Sequence, residues 1–185
     1  MIHTQISESQ LIEDLKRQPN RVAFNTLVQQ YQERLYWHIR QMVKNHEDTD
    51  DVLQNVFIKV HRSIHSFKGE SKLYTWLYRI ATNEAITFLN KRAKQYQISS
   101  EDLQERLINS LESDPYFEGD EIQIKLQRAI QTLPEKQQAV FRMKYFEDIT
   151  YDEMSEIMDT SVGALKSSYH IATKKITTYL KTYSQ

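Results

Sequence analysis

The stretch Thr150-Tyr151-Asp152-Glu153-Met154-Ser155-Glu156-Ile157-Met158-Asp159-Thr160-Ser161-Val162-Gly163-Ala164-Leu165-Lys166-Ser167 decides the fold of this chain. Thr150 and Glu153 stand in the Thr-x-x-Glu spacing of a capping box, in which each side chain satisfies the other residue's backbone N–H, so a helix opens here. The helix is short, because Asp159-Thr160-Ser161 reads as a tight turn ending in a fresh N-cap. A second and longer helix then runs from Val162 to about Leu180. Two helices joined by a brief turn, the second the longer, make the helix-turn-helix pattern.

On a wheel at about 100° per residue, Val162, Leu165, Tyr169, Ala172, Ile176 and Tyr179 gather on one side of the last helix as core. Lys166, Ser167, His170, Lys174, Thr177 and Lys181 gather on the other. Cations mixed with short hydrogen-bonding side chains suit a major groove, lysines holding phosphates while serine and histidine reach base edges. A merely solvated helix side has the same composition, and it is the capped short helix and turn before it that favour the groove. Upstream, Ile122, Leu126, Ile130 and Leu133 predict a helix stopped at Leu133-Pro134, and Gln137 to Phe146 predicts the next.

The N-terminal half repeats the helical period. Phe24, Leu27, Val28, Tyr31, Leu35, Ile39 and Met42 form one stripe. A second helix is expected to open at Asp48 or Thr49 and to bury Val52, Val56, Val60 and Ile64. A third is expected from near Ser71 to about Arg92, with Leu73, Leu77, Ile80, Ala81 and Phe88 inside, and a short helix over Gln10–Lys16 completes the lobe. Residues 94–120 are acidic and polar, with Ser99-Ser100, Asp114-Pro115 and Gly119 as breakers. Leu103, Leu107 and Leu111 allow a short helix there, but the segment reads as a linker. The chain is therefore expected to be all-α: a first helical domain over 1–93, an acidic linker over 94–120 and a helix-turn-helix domain over 121–185.

Composition agrees. The 185 residues include 3 glycines, 3 prolines and no cysteine, with 39% hydrophobic and 26% charged residues. So few turn formers argue against a β-sandwich or a nucleotide-binding α/β fold. Without cysteine there are no disulfides, thiolate metal sites or thiol nucleophiles. No apolar run is long enough for a bilayer, and Met1 to Gln10 lacks the basic start and apolar stretch of a signal peptide, so a cytoplasmic location is expected. The formal net charge is −1, yet acids cluster at Asp48–Asp51, Glu101–Asp120 and Glu147–Glu156 and bases at Lys91–Lys94 and Lys166–Lys181, which suggests separate surfaces for separate partners.

The third helix carries a second candidate surface. Trp76, Asn83, Thr87 and Asn90 flank its apolar face, Thr75, Arg79 and Thr82 are expected on the fully polar side, and the loop Phe67-Lys68-Gly69-Glu70-Ser71 lies just before it. Aromatic, amide and hydroxyl groups around a cationic loop suit single-stranded nucleic acid, although Tyr74, Trp76 and Tyr78 would look the same if they only buried their rings. The acids Asp48, Asp50 and Asp51 complement a helix N-terminus and, with Gln54 and Asn55, offer a face to a basic partner. Glu84 falls on the apolar side without an evident role. No Gly-rich phosphate loop is present, and His61 and His65 lack the glutamate of a His-Glu-x-x-His site. No catalytic constellation, cofactor or metal is expected.

Four segments resemble the sigma-70 family of RNA polymerase sigma factors. Asp50-Asp51-Val52-Leu53-Gln54-Asn55-Val56-Phe57 looks like the core-polymerase-binding helix of region 2. Phe67 through Ala85, with Tyr74-Thr75-Trp76-Leu77-Tyr78-Arg79-Ile80-Ala81 at its centre, is similar to the melting and −10 recognition segment. Leu133 through Phe141 resembles the start of region 4, and Val162-Gly163-Ala164-Leu165-Lys166-Ser167 its −35 recognition helix. Their order and the short link match the extracytoplasmic function (ECF) subgroup.

The resemblance implies that Asp50, Asp51, Gln54, Asn55 and Phe57 bind the core polymerase, whose β and β′ subunits would be the partners. Lys68, Ser71, Tyr74, Trp76, Arg79 and Asn83 would serve the −10 element, and Lys166, Ser167, His170 and Lys174 the −35 element. It further implies an anti-sigma factor as inhibitory partner, a linker that threads toward the polymerase active-site channel, and a free protein that is monomeric and not membrane-inserted. The chain departs from the family at Thr87, where Asp is frequent, and at Ser168, Ile171 and Thr173, where Arg is common. Fewer cations mean weaker phosphate anchoring. A helix-turn-helix regulator that works without polymerase is the alternative, and a helical interaction protein a third.

Overall fold

The structure, a computed structural model, describes residues 7–17, 21–113 and 121–182. It contains α1 (Glu8–Arg17), α2 (Arg21–Val43), α3 (His46–Ser63), α4 (Leu73–Tyr96), α5 (Ser100–Asn109), α6 (Glu121–Gln131), α7 (Glu135–Tyr145), α8 (Tyr151–Met158) and α9 (Val162–Thr182), and no strand occurs among the described residues. The all-α expectation holds.

Helices α2, α3 and α4 pack on one another as the first lobe, with α1 against α2. The stripes read from sequence are the ones buried: Leu27, Leu35 and Ile39 on α2, Val52, Val56 and Val60 on α3, and Leu73, Leu77 and Ala81 on α4. Glu8 ties α1 down by accepting from Tyr31 Oη at 3.3 Å and from the Leu73 backbone N–H at 3.1 Å. Burial first, and then the Glu8 carboxylate, push the Tyr31 hydroxyl up to about 12.

Several local expectations are corrected. Helix α3 starts earlier than Asp48 or Thr49, because Asn45 is the N-cap and its side chain accepts from the Asp48 N–H. Thr49 is wholly buried, and Asp48 pairs with Arg92 of α4. Helix α4 starts at Leu73 and runs to Tyr96, ending where Gln97 takes a left-handed φ of 53°. Thr75 and Thr82 do not lie on a solvated side of α4: they are 2% and 7% exposed. They turn inward because α8 packs on α4, an inter-lobe contact that no helical wheel contains.

Within residues 94–120, Ser99 caps α5 by accepting from the Asp102 N–H, and Leu103 and Leu107 join Ala93 in a small buried cluster. This part of the expected linker is a packed helix, since three leucines at helical spacing find apolar surface at the end of α4 and along α6. The expected breakers Asp114-Pro115 and Gly119 lie outside the described residues, as does most of Met1 to Gln10.

In the second lobe α6, α7 and α8 pack around α9. Both halves of the Thr150–Glu153 capping box are formed, and Asp159 leaves α8 with a φ of 50°. The two lobes also share a core. Val140, Met143, Ile149, Met154, Ile157 and Leu165 from the second belong to the same buried cluster as α2, α3 and α4. Polar ties close the seam: His38 Nδ1, whose Nε2 is held by Thr82 Oγ1 within the first lobe at 2.9 Å, meets Glu147 Oε1 at 2.8 Å, and Lys72 donates to Glu153 at 3.0 Å.

Candidate polymerase and nucleic-acid interfaces

The acidic face of α3 is built by its four-residue valine repeat, which turns the remaining positions outward. Asp50, Asp51, Gln54 and Asn55 are exposed, and Phe57 is half-buried with its ring edge-on to Phe24 at 6.4 Å. These residues form one continuous outward surface. Beside it His61 also sits edge-on to Phe24, at 5.0 Å, so its role here is packing. No group of His, Asp or Glu suited to a metal occurs among the described residues. Glu84 gains a role as well: it is the ion-pair partner of Lys59 and joins α4 to α3.

The loop before α4 and the first turns of that helix border a cleft of about 490 Å³ lined by Lys68, Gly69, Ser71, Thr75, Trp76 and Arg79. Gly69 takes a φ of 79°, which a residue with a side chain rarely adopts, and so lets the loop curl over the helix start. Trp76 is half-buried and leans on Phe67 at 5.2 Å, which leaves part of its indole toward solvent. Thr75 brings a buried hydroxyl with no hydrogen-bond partner, a group suited to pairing with an incoming polar edge. Arg79 and Asn83 are exposed one helical turn apart, and Lys68 is exposed in the loop.

Tyr74 is placed differently. Arg34 covers its ring at 5.3 Å, the Tyr78 ring meets it edge-on, and its hydroxyl is pushed up by burial and by a hydrogen bond to Glu153. Tyr78 is buried outright. Of the three rings in this segment, Trp76 is the one that borders the cleft.

The far wall of the same cleft comes from α8 as Ser155, Glu156 and Asp159. Burial would raise Glu153 of this helix, but hydrogen bonds from Tyr74, Thr150 and Lys72 prevail and hold it at about 2. These acids against the loop of α4 were missed from sequence. Only the run of acids at Glu147–Glu156 opposite a cationic loop could have signalled them.

Helix α9 presents the third surface. Leu165, Ala172 and Ile176 are buried and Val162, Tyr169 and Tyr179 half-buried, while Lys166, Ser167, His170 and Lys174 are all exposed on the opposite side. The Ser161 hydroxyl accepts from the Ala164 N–H at 3.4 Å and starts the helix, as the turn predicts. Lys166 lies 5.8 Å from the centre of the Tyr151 ring, which ties this exposed side of α9 to α8.

Family comparisons match this geometry in the same order along the chain. Sigma-70 region 2 matches residues 27–95, which carry the acidic face and the cleft, and sigma-70 region 4 matches residues 123–176, which carry the helix-turn-helix. The chain belongs to the sigma-70 family of RNA polymerase sigma factors. Within it the resemblance is to the ECF group. It is 34% identical over 171 residues to the ECF RNA polymerase sigma-E factor of Haemophilus influenzae, covering 88% of this chain and 89% of that one. It is 33% identical over 172 residues to the RNA polymerase sigma-H factor of Pseudomonas aeruginosa, covering 89% of each.

Among solved structures, CnrH in complex with the cytosolic domain of CnrY superposes with a TM-score of 0.69 at 19% identity, over 95% of this chain and 97% of that one. The sigma factor RpoE in complex with the anti-sigma factor NepR from Bartonella quintana gives 0.64 at 18% identity, over 85% and 96%. At such identities these two speak for the fold. No helix among the described residues is long and apolar enough to cross a membrane.

Proposed function

We propose that this sigma factor divides promoter recognition among three surfaces, with residues 1–93 and 121–185 as domains that polymerase holds at a fixed separation. The exposed side of α3, through Asp50, Asp51, Gln54, Asn55 and Phe57, docks on the core enzyme. Lys68, Ser71, Trp76, Arg79 and Asn83 receive unpaired −10 bases, Trp76 by stacking. Lys166, Ser167, His170 and Lys174 read the −35 element in the major groove. No chemistry is asked of the protein, since stabilising unpaired bases offsets an unstacking cost of a few kcal/mol.

The observation that carries this reading is the coexistence on one chain of an exposed cationic helix-turn-helix face and a tryptophan-bordered cleft whose α4 side carries Lys68 and Arg79. Each alone makes a small interface, roughly 600–1,000 Å² for a single module. Joined through polymerase they become bivalent, and the second contact is intramolecular.

Because α8 forms one wall of the −10 cleft, the docked lobes must separate before a base enters. Tyr74 then loses its bond to Glu153 and becomes available to DNA. A partner that binds the docked lobes would block both events. That is the physical basis for an anti-sigma factor here, and the likeness to CnrH and RpoE bound to their protein partners supports it.

The test is transcription in vitro. Core polymerase plus this protein should initiate at defined sites, and the absence of both association and start-site selection overturns the proposal. Tight, specific DNA binding by the protein alone at physiological salt would favour the polymerase-independent regulator instead.

A further inference from the structure

A cavity of about 330 Å³ lies at the seam of the lobes, between α4, α5, α7 and the end of α8. Its walls are mainly apolar, with Ile86 and Leu89 from α4, Leu103 from α5, Ala139 from α7 and Ile157 and Met158 from α8. Polar side chains stand among them, and two of these, Arg142 and Gln104, carry buried atoms with no hydrogen-bond partner. Arg142 is 6% exposed; its Nη1 donates to Gln138 Oε1 at 3.0 Å, while Nε and Nη2 have no hydrogen-bond partner. Those two nitrogens form one edge of the guanidinium, the fork that takes both oxygens of a carboxylate side-on. Gln104, also in the lining, has a buried Oε1 with no donor.

A buried guanidinium without an anion is a costly arrangement. A second buried cation lies near it. Lys44 is buried too, and its charge is disfavoured first by burial and then by Arg142 and Arg40. Burial draws Arg142 down to about 10, so the group is still a cation at neutral pH. The other charged residues of the lining, Glu135 and Lys136, are both exposed, and Glu135 makes no ion pair with Arg142.

We propose that this cavity binds a small monocarboxylate with an apolar body and one hydrogen-bond donor, of the hydroxyaryl-acid type. The carboxylate takes the free edge of Arg142, the body lies against Ile86, Leu89 and Leu103, and the donor reaches Gln104 Oε1. Inorganic phosphate fits poorly, because it has no apolar body to cover Ile86, Leu89 and Leu103 and a doubly charged ion is costly to desolvate between them. The walls come from both lobes, so occupancy favours the docked arrangement by mass action. That consequence rests on the reading of the lobes given above, whereas the binding itself does not.

Calorimetric titration of the full chain tests the proposal, with 4-hydroxyphenylacetate, phenylacetate and inorganic phosphate as probes. The hydroxylated acid is expected to bind, the unhydroxylated acid about tenfold more weakly for one missing hydrogen bond, and phosphate not at all. Arg142→Met should weaken both acids by roughly 30-fold or more. Gln104→Leu, in a half-buried side chain with no bond to lose, should keep the fold and erase only the advantage of the hydroxyl.

Neither acid binding at millimolar concentration overturns the site, as does phosphate binding equally well or Arg142→Met titrating like the parent. Should Arg142→Met fail to fold, Gln104→Leu decides, and an undiminished preference for the hydroxylated acid overturns it. These titrations contain no polymerase and no DNA, so their failure leaves the transcription reading standing, and the reverse also holds.

Discussion

Lys166 and Lys174 stand two helical turns apart on the outward side of α9, about 12 Å along its axis. At that separation they reach different phosphates. Both are fully at the surface and neither anchors the fold, so replacing the pair by alanine, a strong helix former, removes two cations and leaves the helix in place. The cation contact of Lys166 with Tyr151 is lost as well, worth about 0.5 kcal/mol at an exposed site.

Each phosphate contact contributes about 0.9 to the slope of log affinity against log salt, so the double variant should flatten that slope by about 1.8. Between about 50 and about 200 mM salt the parent then loses about 12-fold more affinity than the variant. The assay is fluorescence anisotropy of reconstituted polymerase on a promoter fragment across a potassium chloride series, repeated on a fragment without the −35 element. An unchanged slope would refute the placement of these lysines on DNA, and an equal change on both fragments would refute their assignment to the −35 element.

Asp51→Ala combined with Gln54→Ala alters only exposed positions of α3, so co-purification with core polymerase should fall while the thermal midpoint stays within a degree or two; unchanged co-purification contradicts the docking face. Trp76→Ala should lower open-complex formation by about 5- to 150-fold, the equivalent of one base stack, with Trp76→Phe largely restoring it; permanganate footprinting of the −10 region reads the difference. The pH dependence of stability should carry a signature of Glu153. Its folded carboxyl is held at about 2, below the ordinary value of about 4.3. The stabilisation is thus complete above that ordinary value and is lost as pH falls toward 2. Glu153→Gln should remove this part of the acid sensitivity in thermal melts, and identical pH profiles would contradict the assignment.

What the sequence revealed was whatever depends on periodicity or on a local cap. The valines of α3, the alternating faces of α9 and the Thr150–Glu153 box are each fixed by residues a few positions apart, and the structure places them as read. The start of α3 was misread because the N-cap was sought at Asp48 or Thr49, while Asn45, which follows a left-handed step at Lys44, does that work. Thr75 and Thr82 were assigned to water because a wheel of α4 holds no record of α8. For the same reason the buried cations Lys44 and Arg142 were invisible, since Lys44 bonds to Gln127 of α6 and Arg142 lines the cavity between the lobes. Among the candidate site residues, Tyr74 shows the same limit: nothing in its own helix signals that Arg34 and Glu153, distant in sequence, hold it while the lobes are docked.

The continuous core that runs from α2 into α9 sets a threshold for the protein's work. If the separated form is one molecule in about a hundred, assembly with polymerase appears about 100-fold weaker than the bare contact surface would give. Promoter output would then respond to any substitution that loosens Met154 or Ile157 at the seam, although neither touches nucleic acid. Selection acting on how readily the halves part could thus adjust gene expression without rewriting a single base contact.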